Sequence, residues 1–374
     1  MLYKYKYIIY KKILSNSIMT NIENANSIID KEIISFLNKR KNNSIELINY
    51  NEVDFTLNID NDLIIKRIED INTYRLILDN LIKQPLIKQR TTEWFEARKN
   101  RLTASDLYDA IKDNKISDSI AKKKAKIVKD NTNYNAIKAL KWGTMFEPMA
   151  TRIYSQINNN IKIYDFGLIC DPNNEHFGAS PDGITELGIM VEIKCPYSRK
   201  IINDYIPEKY KLQIHGQLAV CNLKECDYIE CKFLIIEDEN VYIEEFNNIN
   251  INHGIIAEYI TKGGEYHYIY SDNNINANDA IDNIYEKIKK FNIDNKKDNK
   301  YKFVKLNYWK LGEINTQRVY FNNEEWGNIN NKINIFWEKV ENYKKLPSVF
   351  PLLSSLYLMV FPDSQIYLSK VEKG

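Results

Sequence analysis

The sequence predicts an α+β sandwich, in which a mixed sheet lies between helices. Apolar residues follow helical spacing in residues 1–85 and again after Trp142, and an apolar hairpin occupies Phe177–Pro196 between that helix and one that begins at Pro207. The chain has 374 residues, of which 44% are hydrophobic. This length and composition are sufficient for a large buried core, and one domain with terminal additions is the expectation.

Residues 1–85 are predicted to form a helical accessory region. Two apolar sets share helical spacing: Ile28, Ile29, Ile33, Ile34 and Leu37, and then Leu63, Ile64, Ile68, Ile71 and Leu78. Pro85 is expected to end the region, because proline interrupts helices. It contains no cluster of chemistry-bearing residues, so we expect a cap or a partner-binding module.

Residues 86–345 are predicted to form the main domain. Its expected elements are a helix start at Thr92–Ala97, a helix N-terminus at Thr103–Asp106, a helix from Trp142 to Gln156, a strand over Ile161–Cys170, the hairpin, a helix from Pro207 to Val220, antiparallel strands over Tyr228–Ile236 and Val241–Phe246, a helix over Ala280–Phe291, two strands within Tyr301–Phe321, and a helix over Glu324–Tyr343. Residues 346–374 form a separate C-terminal segment. Glu147 lies at the edge of the apolar stripe of its helix.

The hairpin carries the strongest chemical signal. Asp182 lies in a Pro/Gly bend, and Glu192 and Lys194 are two residues apart in an apolar strand. Alternation along a strand places Glu192 and Lys194 on one face. Two carboxylates and a lysine can hold a divalent metal and a water against a phosphodiester. Taken alone, the same residues also fit an Asp-Gly turn and an ion pair on a strand face.

Composition restricts the possible functions less than the hairpin does. The chain has 52 basic and 50 acidic residues, a net charge of +2, so any DNA contact must come from local patches. The chain has five cysteines, an odd number, which favours a reducing compartment. Lysines interrupt every apolar run of the N-terminus, which argues against secretion. Neither an iron–sulfur pattern nor zinc spacing is present. We therefore expect a cytoplasmic or nuclear compartment.

The ordered motifs resemble the lambda-exonuclease-like, or YqaJ-like, viral recombinase family of the PD-(D/E)XK nuclease superfamily. The blocks are Trp94-Phe-Glu-Ala-Arg98 with Leu102-Thr-Ala-Ser105, Trp142-Gly-Thr-Met-Phe-Glu147, Ser180-Pro-Asp182-Gly with Glu192-Ile-Lys194-Cys-Pro, and Tyr210-Lys-Leu-Gln213-Ile-His-Gly-Gln217. The resemblance covers roughly residues 89–345. It implies a restriction-endonuclease-like core with a mixed central sheet flanked by helices.

The resemblance also implies an activity, which is metal-dependent digestion of linear double-stranded DNA from a 5′ end. The expected metal is Mg²⁺, with Mn²⁺ as a substitute. Family members work beside a single-strand annealing protein in recombination or genome processing, and some form rings, so such a protein and a homo-oligomer are candidate partners. Two alternatives stay open: an endonuclease of the same superfamily, and a DNA-binding or assembly protein whose nuclease site has decayed.

Roles in the metal site follow residue by residue from the resemblance. Asp182, Glu192, the carbonyl of Ile193 and Glu147 correspond to metal ligands, and Lys194 corresponds to the lysine that orients water. Glu147 would bind the ion directly or through water, although a helical glutamate taken alone is more often solvated.

Arg98, Ser105 and Arg101 are assigned to phosphate or DNA binding, with a capping serine and a surface arginine as the alternative for the first two. Gln213 corresponds to the first glutamine of the family's Gln-x-Gln, and His215 replaces the second. His215 and Gln217 are assigned to the DNA side of the site. The lysines at 122–129 fit either phosphate contacts or a solvated helix face.

Overall fold

The computed structural model describes residues 22–40, 45–53, 55, 59–85, 87–112, 114–128, 137–246, 252–272, 275–296 and 300–345. Its helices are α1 (22–40), α2 (Asn61–Lys83), α3 (Thr92–Lys99), α4 (Leu107–Ala110), α5 (Lys115–Lys124), α6 (Lys138–Ile157), α7 (Glu208–Cys221), α8 (Glu239–Phe246), α9 (Ala277–Asp294) and α10 (Asn323–Lys345). No helix in these ranges is long and apolar enough to span a bilayer.

Ten strands form two sheets in the described part of the chain. The strands are β1 (Leu102–Thr103), β2 (Ile163–Tyr164), β3 (Ile169–Asp171), β4 (Asn174–Ala179), β5 (Gly183–Thr185), β6 (Met190–Lys194), β7 (Glu225–Ile236), β8 (His253–Thr261), β9 (Tyr266–Tyr270) and β10 (Tyr301–Tyr320). The central sheet has the order β2-β5-β6-β7-β10-β8-β9, and β1-β4-β3 form a small second sheet.

Strand direction makes the central sheet mixed. β5 and β6 are antiparallel, β6 and β7 are parallel, and β7 and β10 are antiparallel. Helix α7 lies between β6 and β7 in the chain, because a parallel pair needs a crossover connection.

Helices α6 and α7 cover opposite faces of this sheet. Phe233 of β7 stacks on Phe146 of α6, with ring centroids 4.4 Å apart. Glu192, paired in register with Tyr228, accepts hydrogen bonds from α7. Positions 228 and 233 of one strand face opposite ways, since side chains alternate. The predicted α+β sandwich with a mixed central sheet flanked by helices is therefore confirmed.

The predicted strand over Val241–Phe246 is wrong, because these residues belong to helix α8. The Asp238 side chain accepts hydrogen bonds from the backbone N–H groups of Asn240 and Val241, at 2.9 and 3.0 Å. An aspartate that satisfies the first free N–H groups of a helix favours helix formation. The sequence Asp238-Glu-Asn240 predicts a hairpin turn, but in the structure it begins helix α8, with Asp238 as the cap.

The two strands predicted within Tyr301–Phe321 are a single strand, β10. Its first half pairs with β8 and its second half with β7, and a bulge separates Leu311 from Glu313 in the pairing with β7. Gly312 lies at this bulge, where one extra residue is accommodated without ending the strand. One strand therefore joins the two halves of the central sheet.

The strand predicted over Ile161–Cys170 is divided between the two sheets. Gly167 separates β2 from β3, and a Cβ atom there would lie 1.6 Å from the carbonyl oxygen of Ile87. The chain passes close to Ile87 at this point, which requires glycine. The helix N-terminus expected at Thr103–Asp106 lies at the end of β1, where a 3₁₀ turn over Ala104–Asp106 leads directly into α4 at Leu107.

Helices α1 and α2 share one buried core with the central sheet. Ile29, Ile33, Ile64 and Ile71 belong to the same apolar cluster as the strand residues. A second, smaller cluster lies between α8, α9 and β8. The boundary near residue 85 stays a prediction, and the segment 346–374 lies outside the described residues.

A buried ion cluster attaches these helices to the sheet. Arg67 of α2 donates to both oxygens of Asp30 at 2.8 Å and to Glu225 of β7 at 2.9 Å. Arg318 of β10 donates to Asp227 at 2.5 Å and contacts Glu225. The Arg67 side chain is 1% exposed, so its charge depends on these carboxylates.

Helix α2 also supports the turn of the β5–β6 hairpin. Arg75 Nη1 donates to the Glu186 carbonyl oxygen at 2.6 Å. Gly188 has a φ of +76°, and a Cβ atom there would lie 2.5 Å from the Cβ of Tyr74. The tight turn and the close approach of α2 both require glycine at this position.

Replacing Arg67 by Met tests the ion cluster. The buried carboxylates of Asp30 and Glu225 would lose a partner, so we expect the free energy of unfolding to fall by about 3–5 kcal/mol. Urea titration measures the change. The matched control is Lys83→Met on the same helix, where the exposed pair with Asp79 is expected to contribute at most about 1 kcal/mol. Equal losses in both variants would contradict the prediction.

Candidate active site

The hairpin brings its two acids together through the backbone. Asp182 precedes β5, and its Oδ2 accepts a hydrogen bond from the backbone N–H of Ile193 at 2.7 Å. Ile193 lies between Glu192 and Lys194 on β6, so Asp182 is fixed beside the strand that carries the other two charged groups.

Glu192 is fully buried and its carboxylate is held from three sides. Lys194 donates to Oε1, Gln213 Nε2 donates to Oε1 at 2.6 Å, and Gln217 Nε2 donates to Oε2 at 2.7 Å. Gln213 and Gln217 are one helical turn apart on α7, so both reach the same group. A buried carboxylate is stable only with such donors.

Asp182 is much less compensated than Glu192. Burial and then the negative charges of Glu192 and Glu147 raise its pKa well above the ordinary value, against the effects of Lys194 and the Ile193 N–H. Burial lowers the pKa of Lys194, but the charges of Glu192 and Asp182 outweigh it and raise that pKa. The carboxylates therefore repel each other, while Lys194 stays charged.

Glu147 of α6 joins this group from the other side. Burial raises the pKa of its carboxyl, the charges of Arg90 and Lys194 oppose the rise, and Glu192 adds to it. Arg90 Nη2 lies 3.3 Å from Glu147 Oε2. Glu147, Asp182, Glu192 and Lys194 thus interact electrostatically, as the metal-site prediction requires.

The donor chemistry of the hairpin fits a hard divalent cation. The negative charges of Glu192 and Glu147 raise the pKa of Asp182, so a positive charge is stabilised at this site, and Mg²⁺ prefers oxygen ligands. Across the described ranges, no group of three or more His, Cys, Asp or Glu side chains is arranged so that it could hold a metal ion. An ion here would need carbonyl, water or phosphate oxygens besides the carboxylates.

A group of hydroxyl and guanidinium side chains comes from α3, from the 3₁₀ turn after β1 and from the loop before Asp182. Arg98 Nη2 donates to Ser105 Oγ at 3.1 Å, and the Arg98 guanidinium lies 4.3 Å from the centre of the Trp94 ring. Trp94 Nε1 donates to Ser180 Oγ at 3.1 Å, which places this serine beside the same group. We refer to Trp94, Arg98, Ser105 and Ser180 as the serine–arginine pocket.

Ser180 was not among the predicted site residues. Its position directly before Pro181 and Asp182 in the Ser-Pro-Asp motif is the signal that could have identified it. The serine–arginine pocket therefore connects to the acids through the chain itself.

The contacts that the structure gives Arg101 and His215 are to residues other than the acids of the hairpin. Arg101 Nη1 donates to the Ala97 carbonyl of α3 at 3.2 Å. His215 Nε2 lies 3.7 Å from Glu325 of α10, and burial lowers the pKa of the imidazole. Positions 213 and 215 are about 200° apart around a helix, so Gln213 and His215 face different ways. Gln217, assigned to DNA, instead contacts Glu192.

Two of the lysines at 122–129, Lys122 and Lys124, have structural partners. Lys122 Nζ lies 2.8 Å from Asp118 Oδ2, and Lys124 Nζ donates to the Arg98 carbonyl at 2.8 Å. Lys129 lies outside the described residues. A phosphate-binding role for the run stays a prediction.

Residues 93–224 match the family described as the YqaJ-like viral recombinase domain. The uncharacterized protein R354 of Acanthamoeba polyphaga mimivirus is 25% identical over 309 residues, which are 72% of this chain and 55% of that protein. The chain therefore spans about half the length of this curated relative. The family resemblance indicated by the motifs is confirmed over the matched residues.

Two solved structures are also similar to this chain. An alkaline exonuclease (LHK-Exo) from Laribacter hongkongensis is 17% identical with a TM-score of 0.41, and the match covers 72% of this chain and 100% of the exonuclease. A phage related exonuclease from Haemophilus somnus 129PT is 15% identical with a TM-score of 0.34 and coverages of 68% and 96%.

Replacing Gln217 by Leu tests the support of Glu192. Oε2 of a buried carboxylate would lose its donor, so we expect the free energy of unfolding to fall by about 1–3 kcal/mol. Urea titration at neutral pH measures it. The control is Gln317→Leu on β10, where the amide makes only a 3.4 Å contact with the Tyr205 carbonyl. No difference between the two variants would show that Gln217 does not support Glu192.

Replacing Asp182 by Asn tests the repulsion between the acids. A carboxyl group whose pKa is higher in the folded than in the unfolded protein lowers the stability of the fold as pH rises above the unfolded pKa, which is about 3.9. With chelator present, we therefore expect Asp182→Asn to be more stable than the unmodified protein at neutral pH, by about 1 kcal/mol. The gain should vanish below about pH 4, where both states are protonated. Thermal unfolding from pH 3 to 8 measures it.

The control for this pH series is Asp282→Asn, which removes an exposed carboxylate from α9. We expect it to change stability by less than about 0.5 kcal/mol at any pH. A loss of stability in Asp182→Asn at neutral pH would show that the carboxylates do not repel each other.

Proposed function

Given that residues 93–224 form a YqaJ-like viral recombinase domain, we propose that the chain is a metal-dependent deoxyribonuclease. It hydrolyses phosphodiester bonds as a 5′-to-3′ exonuclease on linear double-stranded DNA, in recombination, repair or viral genome processing. The observation that carries the proposal is the Glu192 carboxylate, which is fully buried yet aligned with Lys194 and Asp182 at one end of a hairpin.

Asp182 and Glu192 would hold a divalent cation, with the Ile193 carbonyl as a further ligand and Glu147 acting directly or through water. Mg²⁺, or Mn²⁺ in its place, supplies a Lewis acid and lowers the pKa of water when it is bound. The unbalanced carboxylates support this assignment, because a cation relieves the repulsion that raises the pKa of Asp182.

The side chains around the acids orient the reactants. Lys194 keeps its proton, because neighbouring carboxylates raise its pKa, and it can orient the attacking water and stabilise charge on the phosphate. Gln213 and Gln217 fix the Glu192 carboxylate by hydrogen bonds to different oxygens. Such preorganised contacts lower the cost of reaching the transition state.

The serine–arginine pocket would bind a terminal 5′-phosphate. A guanidinium and hydroxyl groups are suitable donors for phosphate oxygens. Arg98 and Ser105 are in contact, and Trp94 connects them to Ser180 next to Asp182. Holding a terminal phosphate at a fixed distance from the acids would favour digestion from ends.

The biological partners belong to the same proposal. A single-strand annealing protein, a homo-oligomer and a cytoplasmic, nuclear or viral replication compartment follow from the family resemblance. Because the chain spans 55% of the curated relative, the activity of a longer protein is likewise a proposal.

Digestion of matched linear and covalently closed DNA tests the function. We expect Mg²⁺-dependent release of nucleotides from linear 5′-phosphorylated duplex and no cleavage of closed circles. Lys194→Ala should lower the rate about 100- to 1000-fold, since it removes a charge that stabilises the transition state. Lys194→Arg should stay impaired because its donor geometry differs. Gel analysis and release of labelled nucleotide measure both effects.

The control for these variants is Lys310→Ala, which removes a lysine of β10 that is paired with Glu245 of α8. It should retain full activity. Cleavage of closed circles would indicate an endonuclease, and Mg²⁺ binding without any cleavage would indicate a decayed site.

A further inference from the structure

Arg90 precedes α3, the helix that carries Trp94 and Arg98 of the serine–arginine pocket, and its backbone is fixed on both sides. Gln89 Nε2 donates to the carbonyl oxygens of Phe166 at 2.8 Å and Pro181 at 3.2 Å. Thr91 caps α3, where its Oγ1 accepts from the Trp94 N–H at 3.2 Å. The residue between them therefore has a defined position.

The backbone of Arg90 is strained. Its φ is +65°, in the left-handed region. A residue with a Cβ atom pays roughly 1–2 kcal/mol there, and glycine does not. Asparagine and aspartate can favour this conformation through a local hydrogen bond from a short side chain, and arginine cannot. The reason for an arginine at this position is therefore sought in the contact that its side chain makes.

That contact is a single, exposed ion pair with Glu147. Arg90 Nη2 and Glu147 Oε2 are 3.3 Å apart, and the side chains are 51% and 34% exposed. Arg67, in contrast, is 1% exposed and donates through several nitrogens. Exposed pairs of the first kind contribute at most about 1 kcal/mol. The Arg90–Glu147 pair is therefore easily exchanged for another partner.

We propose that Arg90 is a displaceable counter-ion of Glu147, which a divalent cation releases to bind a phosphate of the substrate strand. The inference rests on the proposed function, because it takes Glu147 as part of the metal site. A cation at Glu147 and the Arg90 guanidinium repel each other and compete for the same carboxylate. Phosphate is the natural second partner, since it matches the guanidinium fork.

The position of Arg90 fits this second role. Arg90 precedes the helix that carries Trp94 and Arg98, while its partner Glu147 lies on α6 beside Asp182 and Glu192. A strand with its end in the serine–arginine pocket and a linkage at the acids would pass this residue. The released guanidinium would thus couple metal binding to the grip on DNA.

Direct titration with Mn²⁺ tests the first half of the proposal. Arg90→Gly removes the competing guanidinium and suits the positive φ, so Mn²⁺ should bind about 2- to 5-fold more tightly, the range that an exposed ion pair allows. Calorimetry without DNA measures this affinity. The control is Lys126→Gly, which removes a cation at a φ of +61° just after the C-terminal end of α5 and should leave the affinity unchanged.

The salt dependence of DNA binding tests the second half. All proteins carry Lys194→Ala to prevent cleavage, and 5′-phosphorylated duplex is titrated at several salt concentrations with Ca²⁺ or with EDTA. With Ca²⁺, Arg90→Gly should reduce the slope of log affinity against log salt by about 0.9, the value for one lost phosphate contact. With EDTA the slopes should be equal, because Arg90 is then paired with Glu147.

The outcomes separate this inference from the proposed function. Unchanged or weaker Mn²⁺ binding in Arg90→Gly would overturn the counter-ion role, and a slope change that is absent or independent of Ca²⁺ would overturn the release. If the unmodified protein does not bind Mn²⁺ at all, the proposed function fails with it. Normal Mn²⁺ binding and nuclease activity with no effect of Arg90→Gly would refute the inference alone.

Discussion

The burial of one carboxylate, Glu192, constrains the arrangement of the whole site. An ionised group removed from water is tolerated only where donors replace its hydration. Lys194, Gln213 and Gln217 provide these donors from a neighbouring position on the strand and from the crossover helix. The parallel pairing of β6 and β7 makes this helix necessary, because its chain must return across the sheet. Topology and charge compensation therefore depend on each other.

The sequence was sufficient where a feature depends on local spacing. Alternation placed Glu192 beside Lys194, and the helix after Pro207 was predicted within one residue of its ends. Local spacing was ambiguous at Asp238, which caps a helix where a turn was expected. Contacts between distant residues were not predictable, such as Trp94 with Ser180 and Arg90 with Glu147. The 3.6-residue period of the helix alone, however, places His215 on a different face from Gln213 and places Gln217 on the same face as Gln213.

The N-terminal helices show the same limit on a larger scale. Their apolar spacing predicted helices correctly, but the site of their attachment depends on residues from β7 and β10. Arg67 is buried among carboxylates that are far away in sequence, and Arg75 contacts the hairpin turn that separates Asp182 from Glu192. Helix α2 thus supports the strands on which the acids lie, although it contains no predicted site residue. A region without chemistry of its own can in this way determine the geometry of a site.

Two kinds of charge compensation coexist in this protein, and their difference explains how a stable fold can retain a reactive site. Around Arg67 and Glu192, buried donors match each carboxylate, and removal of a partner would leave a charge without solvation. At Asp182 and Glu147 the effects of burial and of neighbouring negative charges exceed the compensation, which comes from Lys194 at both acids, from the Ile193 N–H at Asp182 and from the exposed Arg90 at Glu147. Complete internal pairing of these two acids would stabilise the metal-free fold but would leave neither of them available to a cation. The local imbalance at these two acids is therefore the cost in stability that the proposed metal binding would require, and the well-compensated clusters around it keep the fold intact.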